Sequence, residues 1–225
     1  MHIADGVLSV PVLVTGSAAA LAGVAVSLKR LPWENLMPTA IVSSAFFVAS
    51  LVHLPVGVSS VHLLLNGLAG VILGPAALPA IAVALFLQAL LFHFGGLVSL
   101  GVNIAIMGFP ALVCGALFRS LLHGNRVSGM GAAFFCGALG VALSGLLAAL
   151  ALALSGEVFQ VTATALLLGH IPVMLVEGIV TAFIFKLVYL VAPEMLNLHR
   201  AVAPVLAVGV FKARPEKPEN AGRAA

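Results

Sequence analysis

Charge is what this sequence has least of. Asp, Glu, Lys and Arg together make up 8% of the 225 residues, against 62% hydrophobic, and mean hydropathy is +1.23. Soluble domains carry about 25% charged residues, so the chain lacks the polar surface that a water-facing fold needs. It is expected to be an all-α, polytopic membrane bundle, with room for about six to eight spans of about 20 residues. Cysteine is also scarce. Cys114 and Cys136 both sit in apolar stretches and form no CxxC pair, so they are expected to be small packing residues. No basic leader precedes the first apolar run, which follows Asp5, so the pattern of a cleavable signal peptide is missing. The net charge of +3 comes from few basic residues at span ends, which argues against nucleic acid as a partner.

Catalytic patterns are missing too. There is no HExxH, which removes a zincin-type intramembrane protease. Gly140 and Ser144-Gly145 stand at GxxxSG spacing, which suits helix packing better than a nucleophile elbow. There is no Walker A loop, so any ATP-driven transport must draw on a partner's hydrolysis. Ion-driven carriers usually carry paired acidic residues or broken-helix repeats within their spans. Here Glu177 is the single carboxylate expected within a span.

Seven apolar segments are present: 7–28, 38–54, 60–73, 78–94, 103–118, 130–154 and 165–191, the last interrupted near its start by Gly169-His170-Ile171-Pro172. With seven spans and the N-terminus outside, every basic residue falls on the cytoplasmic side: Lys29, Arg30, Arg119, Arg126, Lys186, Arg200, Lys212, Arg214, Lys217 and Arg223. The expected domain plan is one transmembrane unit over 1–200 and a cytoplasmic tail over 201–225, disordered toward its end. This orientation gathers Met1, His2, the His53–His62 connection and the His93–Asn103 turn on one outer face.

Met1-His2 is an unusual pair for that face. The terminal amine, the Met1–His2 amide nitrogen and the His2 imidazole can close a five-membered and a six-membered chelate ring on one metal ion. A fourth nitrogen from elsewhere would complete a planar site of the kind Ni(II) or Cu(II) prefers. His62 is a candidate because an imidazole inside an apolar span is costly unless it is used. Asn66, four residues on, is expected to share its helix face. Gly95-Gly96 and Gly101 permit tight turns or close backbone approach. His170 and Glu177, seven apart, are expected on one face of the last helix, where Glu177 either bonds another span or moves protons. The small-residue rows Ser44/Ala45/Ala49 and Ala18/Ala22 allow close helix contact, within the bundle or with a partner.

These residues add up to a family resemblance. Met1-His2-Ile3-Ala4-Asp5-Gly6 resembles the MHIxDG start of the CbiM/NikM family, the substrate-capture (S) components of energy-coupling-factor transporters for cobalt and nickel. Ser59-Ser60-Val61-His62-Leu63 with Asn66-Gly67, Gln88 to Phe92 running into Gly95-Gly96, Leu100-Gly101-Val102-Asn103, and His170-Ile171-Pro172 with Glu177-Gly178 are similar to further family blocks. The resemblance covers residues 1 to about 200. It implies a metal held by Met1, His2 and His62, with Asp5, Ser60, Asn66, His93 and Asn103 around the pocket. It also implies a helix added before the usual six. Its implied partners are a transmembrane coupling (T) protein, a cytoplasmic ATPase pair and a small accessory membrane subunit. The chain departs from some relatives in carrying His93 before the glycine pair.

The leading expectation is a non-enzymatic subunit capturing Co²⁺ or Ni²⁺ at the outer face, leaning to cobalt for cobalamin synthesis, with no cofactor beyond the transported ion. A standalone proton-coupled carrier using Glu177 and His170 stays open as an alternative. A membrane enzyme with a buried metal is a third class, for which no catalytic dyad is evident.

Overall fold

The computed structural model describes residues 2–51, 53–56, 59–118, 121 and 126–192, with the side chains of 53–62 and 126–128 outside that description. Seven α-helices form among these residues: α1 Val10–Lys29, α2 Leu36–Ala49, α3 Asn66–Leu73, α4 Ala77–Phe92, α5 Leu100–Phe118, α6 Arg126–Ala153 and α7 Gln160–Val191. Strands β1 His53–Val56 and β2 Ser59–His62 make a short antiparallel hairpin in which His53 pairs with His62. The all-α expectation therefore holds apart from this hairpin.

The expected count of seven crossings is not confirmed. Among the described residues, five segments are long and apolar enough to span a membrane. The second expected span ends at Ala49, short of Leu54, because the chain turns into β1 with Pro55 inside it. The third, expected as helix over 60–73, is extended backbone as far as His62 and becomes helix at Asn66. At 14 and 8 residues, α2 and α3 are about 21 and 12 Å long, short of a hydrocarbon core of about 30 Å. His62 and Asn66 consequently share no helix face.

By length alone, Asn66–Phe92 reads as one 27-residue segment. Its packing shows a fold-back. Asn66 Nδ2 bonds the Met107 carbonyl at 3.1 Å, and a Cβ on Gly70 would lie 1.7 Å from the Ala111 carbonyl oxygen, so α3 runs parallel to α5. Leu78 meets Gly108, while Ala82, Val83 and Phe86 line a cavity with Leu100, Gly101 and Ile104, so α4 runs antiparallel to α5. The reversal falls at Gly74, with φ of +57° where a side chain would be strained, followed by Pro75. All eight residues of α3 are buried, which makes this short helix the centre of the core.

The last helix also differs from expectation. It starts at Gln160, and Pro172 sits inside it without ending it. Polar helix contacts tie the bundle together. Ser43 Oγ donates to the Ala80 carbonyl at 2.8 Å, joining α2 to α4. Gly140 and Ser144 on α6 serve packing as expected: Asn66 Nδ2 reaches Ser144 Oγ at 2.8 Å, and a Cβ on Gly140 would come within 2.6 Å of Asn66 Oδ1. Cys114 and Cys136 are free and buried, with Cys114 Sγ 3.6 Å from the Cys136 carbonyl. Ser44, Ala45, Ala18 and Ala22 are exposed on the bundle surface.

Candidate metal centre

The amino-terminal segment enters the protein. Ile3 is fully buried and His2 is 5% exposed. Ile3 forms an isolated β-bridge, and its backbone groups also need side-chain partners at this depth. Asn103, in the first turn of α5, supplies two. Its Oδ1 accepts from the Ile3 N–H at 2.9 Å, and its Nδ2 donates to the Ile3 carbonyl at 3.1 Å. One side-chain amide thus holds both main-chain polar groups of a single residue. Ser99 Oγ lies 2.8 Å from the same carbonyl oxygen.

Asp5 fixes the arm one step further out. Its carboxylate accepts from the Ser99 N–H at 2.8 Å, the Ser99 hydroxyl at 2.8 Å and the Val98 N–H at 3.3 Å. These groups stand at the start of α5, where unpaired N–H donors and the helix dipole favour an anion. Burial pushes the Asp5 carboxyl up, yet the Ser99 N–H and hydroxyl, with the Val98 and Leu97 N–H groups, outweigh it and hold it below 3.8. Asp5 therefore acts as an anchor whose oxygens are already engaged.

The two glycines of the α4–α5 turn make room for this arm. Gly95 has φ of +79°, and a Cβ there would meet Asn103 Nδ2 at 2.6 Å and His2 Cβ at 3.2 Å. Gly96 has φ of +110°, and its Cβ would come within 2.2 Å of the Asp5 carboxylate. Gly101 lies within α5, where a side chain would collide with Ser17 of α1 at 2.3 Å. The His2 ring stacks on Phe94 at 6.0 Å, Phe94 on Phe92 at 5.6 Å, and Phe92 packs on Phe47 at 5.8 Å. An aromatic wall so faces one side of the imidazole.

Of the expected site residues, the structure brings His2, Asp5 and Asn103 together. Met1 lies outside the described residues. His62 and Ser60 are placed by backbone in β2, opposite His53 and Pro55 respectively. Asn66 is not at the pocket. It is fully engaged inside the core, between Met107, Ser144 and the Gly67 N–H. His93 caps α4 in a left-handed conformation with φ of +57° and is exposed. Among the described residues, no three His, Cys, Asp or Glu side chains converge on one point. Ser99 was not singled out from sequence, although a hydroxyl between a glycine turn and an apolar helix is a capping signal.

Glu177 belongs to a second arrangement below the arm. Its Oε2 accepts from the Leu64 N–H at 2.9 Å and its Oε1 from the Leu65 N–H. Leu65 has φ of +50°, a costly conformation for a branched side chain. The carboxylate thus satisfies the extended backbone that leads from β2 into α3. Both Glu177 and His170 are buried on α7, as their spacing predicts.

The fold and the docked arm define a multi-pass membrane protein whose amino-terminal residues are part of its core. Residues 2–195 match the family described as the cobalt uptake substrate-specific transmembrane region. The chain belongs to this CbiM family. It is 43% identical over 204 residues to a putative metal transport protein of Haemophilus influenzae, covering 88% of this chain and 97% of that one. It is 30% identical over 218 residues to the cobalt transport protein CbiM of Sorangium cellulosum, covering 90% and 97%. A solved structure described as a transition metal transporter shares the fold, with a TM-score of 0.70 and 24% identity over 93% of this chain and all of that one.

Proposed function

We propose that the chain is the substrate-capture subunit of an ATP-driven energy-coupling-factor importer, taking up Co²⁺ or Ni²⁺ at the His2 end of the bundle. The ion is held by the Met1 amine, the His2 amide nitrogen and imidazole, and the His62 imidazole. Cobalt for cobalamin synthesis is the favoured use. One observation carries the reading: Asn103 grips both backbone polar groups of Ile3, so the neighbouring His2 is held inside the protein at a fixed place. That grip orders the chelate before the metal arrives and lowers the entropy lost on binding. Family relatives named as cobalt transport and fused nickel transport proteins support the choice of ion.

The end bearing His2 faces outward and the basic tail faces the cytoplasm. One transmembrane unit, 1–200, carries the function, with 201–225 as a tail. A coupling (T) protein, an ATPase pair and a small accessory membrane subunit supply energy and assembly, so this chain itself is no enzyme. The proton-carrier alternative has less support, because main-chain N–H groups occupy the Glu177 carboxylate.

Calorimetry on the purified chain tests the reading. His2→Ala, His62→Ala, or one residue added before Met1 should each abolish Co²⁺ and Ni²⁺ binding while the thermal melt is kept. Full-affinity binding by His2→Ala would refute the chelate. Wild-type affinity should fall with acid, as amine and imidazoles must lose protons to bind.

A further inference from the structure

The end of the bundle away from the arm carries a hollow that metal capture does not use. Helices α1 and α5 run in the same direction, with Gly16 against Val102 and Gly23 against Phe109. Both start near the arm, so their last turns stand at the far end, beside the α3–α4 reversal. Between them lies a cavity of about 800 Å³, lined by Gly23, Ser27 and Arg30 of α1 and its cap, Gly74 and Pro75 of the reversal, and Gly115 of α5 among others. Packing inside the bundle dictates the small residues. A Cβ on Gly23 would meet Leu78 at 2.6 Å, and one on Gly115 would meet the Gly70 carbonyl oxygen at 2.4 Å. Ala22, Val26 and Ala116 at the rim are exposed, so the cavity opens on the flank of the bundle, where lipid tails lie.

Two polar side chains interrupt this apolar wall, Ser27 and Arg30, three residues apart on one face of the α1 end. Hydroxyls on membrane helices commonly return to the carbonyl one turn back. Thr39, Ser44 and Ser50 do so here. The Ser27 hydroxyl makes no hydrogen bond among the described residues, although Ser27 is only 5% exposed and borders the cavity. Arg30 forms no ion pair among them either. Trp33, three residues further on, is 85% exposed. An exposed Trp beside Lys29 and Arg30 marks the membrane–water boundary. Arg30 thus stands at headgroup level, and Ser27, about 4.5 Å deeper along α1, stands where the tails begin. A helix of a partner subunit would cover the apolar wall, but its carbonyls are already bonded within the helix and it brings no anion to Arg30. A phospholipid with an anionic headgroup supplies each counterpart in order: a phosphate for Arg30, an ester carbonyl for the Ser27 hydroxyl and a tail for the cavity.

We propose that this cavity is a binding site for an anionic phospholipid. Its phosphate rests on the Arg30 guanidinium, an ester carbonyl accepts from Ser27, and one acyl chain lies between α1 and α5 over Gly74. The guanidinium fork matches phosphate oxygens, and basic pockets between helices on the cytoplasmic side hold such headgroups. Lys29 adds a second positive charge nearby. The site is separate from the arm and does not depend on the proposed chelate.

The test uses the purified full chain in detergent micelles, with dioleoylphosphatidylglycerol and dioleoylphosphatidylcholine as probes. The two share their tails and differ in headgroup charge. Native mass spectrometry measures the lipid retained, and the thermal melt reads both the fold and the stabilisation that a bound ligand confers. The wild-type chain should hold one phosphatidylglycerol in preference to phosphatidylcholine. Arg30→Gln should weaken that binding about tenfold or more and Ser27→Ala about fivefold, with the lipid-free melt unchanged. Ala116→Phe, which fills the cavity from an exposed position, should abolish it. Lys186→Gln, which removes an exposed charge outside the cavity, should leave it as in wild type, and inorganic phosphate should not displace the lipid. Equal retention of the two lipids, or wild-type binding by Arg30→Gln or Ala116→Phe, would overturn the site and leave the cavity to a partner's helix. A loss in Lys186→Gln equal to that in Arg30→Gln would reduce the preference to net charge and overturn it too. Displacement by inorganic phosphate would refute the part assigned to the tail.

Discussion

Two places in this bundle pair a carboxylate with a primary amide. At the amino-terminal arm, Asn103 satisfies Ile3 while Asp5 takes N–H groups at the start of α5. At the entry to α3, Glu177 satisfies the extended backbone while Asn66 bonds across the core to α5 and α6. In each, a carboxylate takes two main-chain N–H groups from consecutive residues and a primary amide braces the segment nearby. The difference is in exposure and purpose. Glu177 and Asn66 are 0% exposed, and their bonds close on the core itself. Asp5 is exposed, and its bonds hold the amino-terminal arm against the start of α5. A carboxylate at membrane depth is therefore not by itself a proton carrier; what its oxygens already hold decides.

This contrast can be broken in four ways. The largest effect belongs to Glu177→Ala, which strands the Leu64 and Leu65 N–H groups in the core and should cost about 3–5 kcal/mol of stability. Unfolding in detergent micelles reads it, and a wild-type melt would erase the distinction drawn here. Glu177→Gln keeps one acceptor oxygen and should lose less. Asn103→Ala comes next. It removes two bonds of about 1 kcal/mol each, leaves the core standing and frees the arm. Faster hydrogen exchange at Ile3 and weaker Co²⁺ binding should follow with little change in melting.

Gly96→Ala should act on the arm alone. Its Cβ would strike the Asp5 carboxylate at a backbone angle that side chains avoid, a strain of about 1–3 kcal/mol. Metal affinity reports it; an unchanged affinity would mean that the arm tolerates displacement. The smallest effect is that of acid on Asp5. Its folded value is depressed, so its anchoring is fully present above about pH 4 and is lost as pH falls through the lowered value. The protection of the Ser99 amide, its exchange rate relative to the intrinsic rate at each pH, should thus stay flat from pH 7 to 5 and fall only below about pH 4, whereas Asp5→Asn should show no such fall.

Much of this was legible in the sequence, and the residues show why the rest was not. Hydropathy located the helices because burial in lipid demands long apolar runs. It overran at Leu54 and at Ser60, where apolar residues continue but backbone pairing changes, since a hydropathy window cannot tell a strand from half a helix. The glycine pair marked a close approach, and the approach turned out to be to Asp5 and His2. Met1-His2 suggested chelate chemistry from two residues, and the structure buries His2 at the arm. Asn66 was misplaced because i,i+4 spacing was applied across a segment that is not helical. Ser99 was missed because its partners, Ile3 and Asp5, are more than 90 residues away in sequence.

The grip on Ile3 also turns sequence position into a coordinate. Asn103 holds the N–H and the carbonyl of one particular residue, and the Ile3 side chain fills a sealed space. The arm cannot slide, because a slip of one residue would seat the Ala4 methyl or the His2 ring where Ile3 belongs. The fold behaves as a ruler with its zero at Asn103, and what it fixes is the register in which His2 is presented to the bundle.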